Sequence, residues 1–346
     1  MKSFLYPCVF CLLLASIFFG MLISCTKQTI TVHLLDSSDL PNQIHIPVTI
    51  NDRVLRFLFD TGSNITLIDS ALANKIGLDI DGNLFVTIPK IDGTVHQDSI
   101  GYAKVRYSIG NSNLKSGLMY FFAQNKAYLD NELLINIGAV LGMDIIHQNN
   151  WLFNFTNKTA TFSKDKIDIP VLPDDKILIL DFYPKPGSGI ANMDITIDGQ
   201  SFQNVLFDTG CEKTLIFSDI KQSIDIIFSE QDYIAYASKL KFSSIGIDIY
   251  GQRFILSDSI QINDCTMQGV FAYENKEHVR TMITANFVRR FRMMYIDSKN
   301  KKIQLYVSPS DSARYQRKDI PDFIREMSPH IQGNDTINVD LSKINL

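Results

Sequence analysis

The chain is 346 residues long, 45% hydrophobic and 20% charged, with a formal net charge of −4. That length accommodates two domains, and the composition is ordinary for a globular protein. A weakly acidic balance with no Lys/Arg-rich run interleaved with aromatics excludes nucleic acid as an expected partner, and 13 Tyr with 23 Phe favour a β-rich chain.

Residues 1–24 have the pattern of a secretion signal: Lys2 supplies a positive start, and Phe4 to Ile23 is almost wholly apolar and uncharged. An uncleaved anchor of this length would also span a bilayer. Leu22-Ile23-Ser24-Cys25 decides between the two, because it resembles the bacterial lipobox, with small Ser24 ahead of the cysteine. The resemblance implies that Cys25 is lipidated and becomes the new N-terminus. It places the protein in the cell envelope, lipid-anchored to a bacterial membrane and facing away from the cytoplasm. In a Gram-negative cell that is the outer membrane. Residues 25–41 are then a tether and first strand.

From Thr29 the pattern is β. Ile30 to Leu34 alternates, and so does Ile44 to Ile50, where Pro47 marks an unpaired side or a bulge. A two-residue turn at Asn51-Asp52 leads into Phe57-Leu58-Phe59-Asp60-Thr61-Gly62-Ser63 and then the apolar run Ile65 to Ile68. Ala71 to Gly77 predicts a short helix with a left-handed glycine end. Residues 84–109 predict two strands around the turn Ile91-Asp92-Gly93-Thr94. Ile137 to Asp144 is an apolar run carrying Gly142, and Trp151–Phe155 with Ala160–Phe162 predicts a hairpin about Asn157-Lys158. Residues 166–174, with Pro170 and Pro173, read as a linker.

The plan then repeats. Ile177–Leu180 matches the first strand, and Met193–Ile197 with Asp198-Gly199 matches the hairpin. Val205-Leu206-Phe207-Asp208-Thr209-Gly210-Cys211 matches the Asp-Thr-Gly stretch, and Thr214–Phe217 the apolar run after it. Met282–Asn286 takes the place of the Gly142 segment. Counting back twelve residues from Asn154 and from Asp297 sets Ala285 against Gly142. Residues 309–346 form a polar, partly helical tail.

A single Asp-Thr-Gly is an ordinary turn sequence, but two in matched surroundings suggest paired chemistry. Two carboxylates held side by side share a proton, so that one takes a proton from water and the other donates to a carbonyl. In this the chain resembles the aspartic peptidases, both the two-lobed pepsin-like enzymes and the retropepsin-like ones that build the site from two chains. The resemblance covers roughly residues 42–308. It implies an all-β fold of two similar, pseudo-twofold-related, β-barrel-like lobes (42–165 and 175–308) with an active-site cleft between them.

It further implies that Asp60 and Asp208 are catalytic and that Thr61, Gly62, Ser63, Thr209, Gly210 and Cys211 support them. Ile91, Asp92, Gly93 and Thr94 form the flap over the substrate, or else a plain surface hairpin. The implied substrate is a peptide or protein, bound by a monomer without cofactor or metal. Cysteine pairs for zinc are missing from the folded part, where only Cys211 and Cys265 occur, as a disulfide or as two thiols. Two departures stand out. Ser63 is expected to donate its hydroxyl to Asp60, whereas the Cys211 thiol is a poor donor, so Asp208 is expected to hold the shared proton. Ala285 stands where the family has glycine. The leading function is a membrane-tethered aspartic endopeptidase. The alternative is a catalytically silent peptide-binding lipoprotein in the same cleft; a purely structural lipoprotein leaves the duplicated motif without a reason.

Overall fold

The computed structural model describes residues 29–35, 43–89, 95–122, 138–184, 191–197, 199–211, 215–217, 252–275 and 281–307. The lipobox at Cys25, the hairpin tip Ile91–Thr94 and the tail beyond residue 307 lie outside these residues.

The alternating residues Ile44, Ile46, Val48 and Ile50 are all buried, which makes this segment a strand with one face in the core. In lobe one, β1 (Ile30–His33) is followed by β2 (His45–Ile50) and β3 (Arg53–Phe59). The turn between them has φ of 47° at Asn51 and 59° at Asp52, the left-handed pair that a two-residue hairpin requires. Pro47 lies one residue outside the β2–β6 pairing, so its missing N–H deprives that neighbour of nothing. Then come β4 (Leu67–Asp69), α1 (Ser70–Lys75), β5 (Gly82–Pro89), β6 (Val95–Ile109), β7 (Lys115–Phe122), β8 (Ala139–Leu141) and α2 (Met143–Ile146). Asp69 caps α1 by accepting from the Leu72 N–H at 2.9 Å. The lobe closes with β9 (Asn150–Asn154) and β10 (Thr159–Ser163).

Residues 164–175 join β10 to lobe two without helix or strand. Lobe two consists of β11 (Lys176–Asp181), β12 (Tyr183–Pro184), β13 (Ala191–Ile197), β14 (Gln200–Asp208), β15 (Leu215–Phe217), β16 (Gln252–Ile262), β17 (Cys265–Asn275), β18 (Met282–Thr284), α3 (Ala285–Val288), β19 (Met293–Asp297) and β20 (Lys302–Val307).

The fold is all-β with two similar lobes. One seven-stranded sheet runs β2-β3-β8-β4-β7-β6-β5, and the other contains β13-β14-β18-β15-β17-β16, the same order element for element. Each sheet curls on itself through one extra pairing, β2 with β6 or β13 with β16. A six-stranded sheet, β1-β10-β9-β19-β20-β11, joins the lobes, with β9 and β19 antiparallel at its centre. The main buried apolar cluster runs unbroken through both lobes, from Val32 to Val307. At its centre the Phe59 ring meets Trp151 at 5.0 Å and Phe153 at 4.7 Å, fastening the end of β3 to the shared sheet.

The equivalence of Ala285 with Gly142 is corrected. In lobe two Asp208 pairs with Thr284, and in lobe one the register Phe59–Leu141 runs on to Asp60 and Gly142. The Met143 N–H donates to the Ser63 carbonyl at 2.8 Å, as the Ala285 N–H does to the Cys211 carbonyl at 3.0 Å. Thr284 is therefore the counterpart of Gly142, and Ala285 that of Met143. The connector from α2 to β9 is residues 147–149 and that from α3 to β19 is residues 289–292, one residue longer. Counting back across it slips the register by one.

Gln43, two residues before β2, and His45 at its start are 5% and 1% exposed. Burial, together with the Arg56 and Arg289 charges, pushes His45 down to about 4. An unfolded histidine titrates near 6.5. The unfolded state therefore takes up this proton first, and the folded state loses stability as pH falls from about 6.5 to about 4, with no further loss below. The expected contribution is about 3 kcal/mol across that window. Urea denaturation at pH 7, 5.5 and 4 should show a gap between wild type and His45→Leu that shifts in favour of the variant as pH falls. A pH-independent gap would contradict the assignment.

Candidate active site

β3 and β14 each run out at a carboxylate, and the chain turns back there in the same way in both lobes. The Gly62 N–H donates to Asp60 Oδ1 at 2.7 Å and the Ser63 N–H at 3.1 Å. The Gly210 N–H donates to Asp208 Oδ1 at 2.9 Å and the Cys211 N–H at 3.1 Å. Each aspartate thus closes its own turn with two backbone donors, which favour its ionised form.

The threonines bind the two turns to each other. Thr61 Oγ1 donates to the Phe207 carbonyl at 2.6 Å, and Thr209 Oγ1 to the Phe59 carbonyl at 2.7 Å. Each hydroxyl also accepts the opposite threonine's N–H, both at 3.1 Å. Thr61 is 2% exposed and Thr209 fully buried, so these bonds form away from water, where an unmade one is costly.

The same exchange brings the carboxylates face to face. A Cβ on Gly62 would lie 2.5 Å from Asp208 Cγ, and one on Gly210 would collide with the Asp60 carboxyl. Each carboxylate therefore rests on the bare backbone of the opposite turn, a place only glycine leaves open. A Cβ on Gly142 would strike the Ile65 carbonyl, so β8 passes directly behind the lobe-one turn.

Two supporting residues escape a reading of the sequence. Thr66 is fully buried. Its hydroxyl donates to Asp144 Oδ1 at 2.7 Å and accepts the Gly142 N–H at 3.1 Å, while its own N–H donates to Asp144 Oδ2 at 3.1 Å. This clamp holds the end of the lobe-one turn against α2. The one signal for it is polar Thr66 interrupting an apolar run.

The expected hydroxyl bond from Ser63 to Asp60 is absent. Ser63 Oγ donates its single proton to the Ile65 carbonyl at 2.8 Å, and Asp60 receives the Ser63 backbone N–H instead. Cys211 supplies the matching N–H in lobe two, so its carboxylate receives the same backbone bond that Ser63 gives Asp60. Cys211 and Cys265 are thiols and do not form a disulfide.

Burial pushes both carboxyls above the usual range. It lifts Asp60 well above, helped by the Asp208 charge beside it. Asp208 rises too, through burial, against the Gly210 and Cys211 N–H groups and a hydrogen bond with Asp60 that favour its charged form. Both carboxyls are thus pushed toward the protonated form as a pair, and the Ser63–Asp60 hydroxyl bond that was the premise for placing the shared proton on Asp208 is not made.

Residues 46–145 match a family model described as aspartyl protease. The matched aspartyl protease segment runs from β2 through α2 and includes Asp60, Thr66, Gly142 and Asp144. Asp208 lies beyond it, in the lobe whose strand order repeats that of the first. Among curated proteins, none matches the chain.

A raised carboxyl has a thermodynamic sign. Above the ordinary value of 3.8 the folded state binds more protons than the unfolded one, so keeping Asp60 costs stability as pH rises from there. Asp60→Asn should therefore melt higher than wild type at pH 7, by on the order of a few °C, with the gain vanishing at about pH 3.5. Thermal melts at the two pH values check this, and a lower Tm for the variant at pH 7 would contradict it.

Proposed function

We propose that the protein is an aspartic endopeptidase, tethered to a bacterial membrane through a lipid at Cys25, with Asp60 and Asp208 as its catalytic pair. The observation that carries this reading is the facing of two buried carboxylates across the opposing glycines Gly62 and Gly210, each with the same two backbone donors. A family match to aspartyl proteases over the lobe that holds Asp60 supports it.

In the proposed reaction, a water between the carboxyls loses a proton to ionised Asp208. Its oxygen bonds to the scissile carbonyl carbon while protonated Asp60 donates to the carbonyl oxygen, giving a tetrahedral diol. In the collapse, one diol hydroxyl returns its proton to ionised Asp60 and re-forms the carbonyl, while the C–N bond breaks and the nitrogen takes the proton held by Asp208, which restores the starting pair. Water and peptide are consumed and an acid and an amine are released, with no covalent enzyme intermediate. The backbone N–H groups of Gly62, Ser63, Gly210 and Cys211 hold the carboxylates in place throughout, and the cross-lobe threonines keep them from parting. Lobes 42–165 and 175–308, joined by linker 166–174, serve one site.

Of the two departures behind the silent-binder reading, Cys211 offers the same N–H as Ser63, and the one at the glycine position is Thr284 rather than Ala285.

Turnover of an unfolded protein substrate by the full chain should fall roughly 10³-fold or more in Asp60→Asn and in Asp208→Asn, with the double variant little worse, as for residues acting as a unit. The wild-type rate should be bell-shaped on the acid side of neutral. Near-wild-type turnover in either single variant that still unfolds cooperatively would refute the pairing.

The tether has its own check. Cys25→Ala should lose the acyl mass and leave the membrane fraction, and unchanged mass and partition would overturn lipidation.

A further inference from the structure

The two turns bond their carboxylates alike, and the lobe-two turn is also held from behind by lobe one. In lobe two the Gly210 carbonyl accepts a hydrogen bond from Gln43 Nε2 of lobe one, at 3.0 Å. Gln43 is itself anchored. Its main-chain carbonyl accepts from Arg289 Nη1 at 3.1 Å, and the next carbonyl, of Ile44, accepts the Phe59 N–H at 2.8 Å, one residue before Asp60. The contact thus runs from just beyond α3 in lobe two, through lobe one, and back to the lobe-two turn.

The Gly210 carbonyl and the Cys211 N–H belong to one planar trans peptide and point in opposite directions. Fixing the oxygen therefore aims the N–H, and this N–H is the one that donates to Asp208 Oδ1 at 3.1 Å. Drawing charge toward the oxygen also makes the N–H a stronger donor, since linked hydrogen bonds polarise one another. A second observation sets Gln43 apart from a packing residue. Its Oε1 is buried with no hydrogen-bond partner, an arrangement that costs stability and that an apolar side chain of similar size would avoid. What the amide supplies in return is its Nε2 donor to Gly210.

We propose that Gln43 is a positioning residue for Asp208: by holding the Gly210 carbonyl it aims the Cys211 N–H at that carboxylate, making Asp208 the ionised member of the pair and leaving the shared proton on Asp60. This rests on the aspartic-peptidase reading of the site.

The test compares full-chain wild type with Gln43→Met, similar in length but without a donor, and with Gln43→Glu, which donates only when protonated. One readout needs no turnover: the ¹H–¹⁵N shift of the Cys211 amide followed against pH. In Gln43→Met this amide should move upfield and its titration midpoint should rise, because ionised Asp208 has lost part of its support. In the same variant kcat should fall about tenfold with KM within twofold, and the acid limb of the rate profile should move to higher pH by about half a unit to one unit. Gln43→Glu should follow wild type at the acid end and fall away as the introduced carboxyl ionises, since a carboxylate repels the Gly210 carbonyl.

An unchanged Cys211 shift and midpoint in a folded Gln43→Met would overturn the proposal, as would a fall in kcat with an unmoved acid limb. If Gln43→Met does not fold, Gln43→Glu decides, and a variant that tracks wild type at every pH would overturn it. Absence of peptide turnover in wild type with the amide changes intact would instead sink the peptidase reading and leave the contact standing.

Discussion

Everything in the site depends on the exchange between Thr61 and Thr209. Two side-chain hydroxyls, each donating to a carbonyl of the opposite lobe and each accepting the opposite amide, make four cross-lobe bonds shielded from solvent. Without them the turns have no common frame, and the carboxylates they carry have no reason to meet. With them, the spacing of two acids on separate sheets is set by main-chain geometry. The glycines follow from the same closeness: where two turns interlock through their backbones, there is no space for a Cβ between each turn and its neighbour's carboxyl.

That closeness is unfavourable in itself. Two acids that prefer water are held out of it and against each other, so part of the stability supplied by the continuous apolar core is used to hold them there. The surroundings are built to bear this strain. Phe59 is wedged between Trp151 and Phe153, and Trp151 Nε1 donates to the Ile146 carbonyl at 2.8 Å, so β3 and α2 are fixed on the same aromatic cluster. Asp144 and Thr66 tie the other end of the turn to α2. The lobe-two turn receives support from lobe one, at Gln43.

What could be read in the sequence was local. The Asn51-Asp52 hairpin, the short helix after Ile68 and the hairpin about Asn157-Lys158 each depend on a few adjacent residues, and the duplicated Asp-Thr-Gly declared the pairing of lobes because both copies keep the same flanks. What could not be read depends on distance or on choice between partners. Thr66 and Asp144 are 78 positions apart, and Gln43 and Gly210 are 167 apart, with nothing in either neighbourhood to announce the other. Ser63 had both a carboxylate and the Ile65 carbonyl within reach of one proton, and composition does not say which acceptor wins. The slip from Thr284 to Ala285 has a plainer origin, a single additional residue in a connector whose length the flanking pattern does not reveal.

The antiparallel pair β9–β19 at the centre of the shared sheet has a consequence for how such a chain is kept from associating. Because the lobes repeat each other, β9 is paired with its own counterpart across the middle of the sheet. A lobe alone would present this strand as an open edge, and the edge is self-complementary: another copy of the same lobe, turned end for end, offers the partner it lacks. Joining two lobes through residues 164–175 fills that edge from within the chain. The outermost strands that remain are β1 and β11, and β1 has only four residues, a short template for a neighbouring chain to extend. Tandem connection thus turns an edge that invites a second molecule into an internal seam.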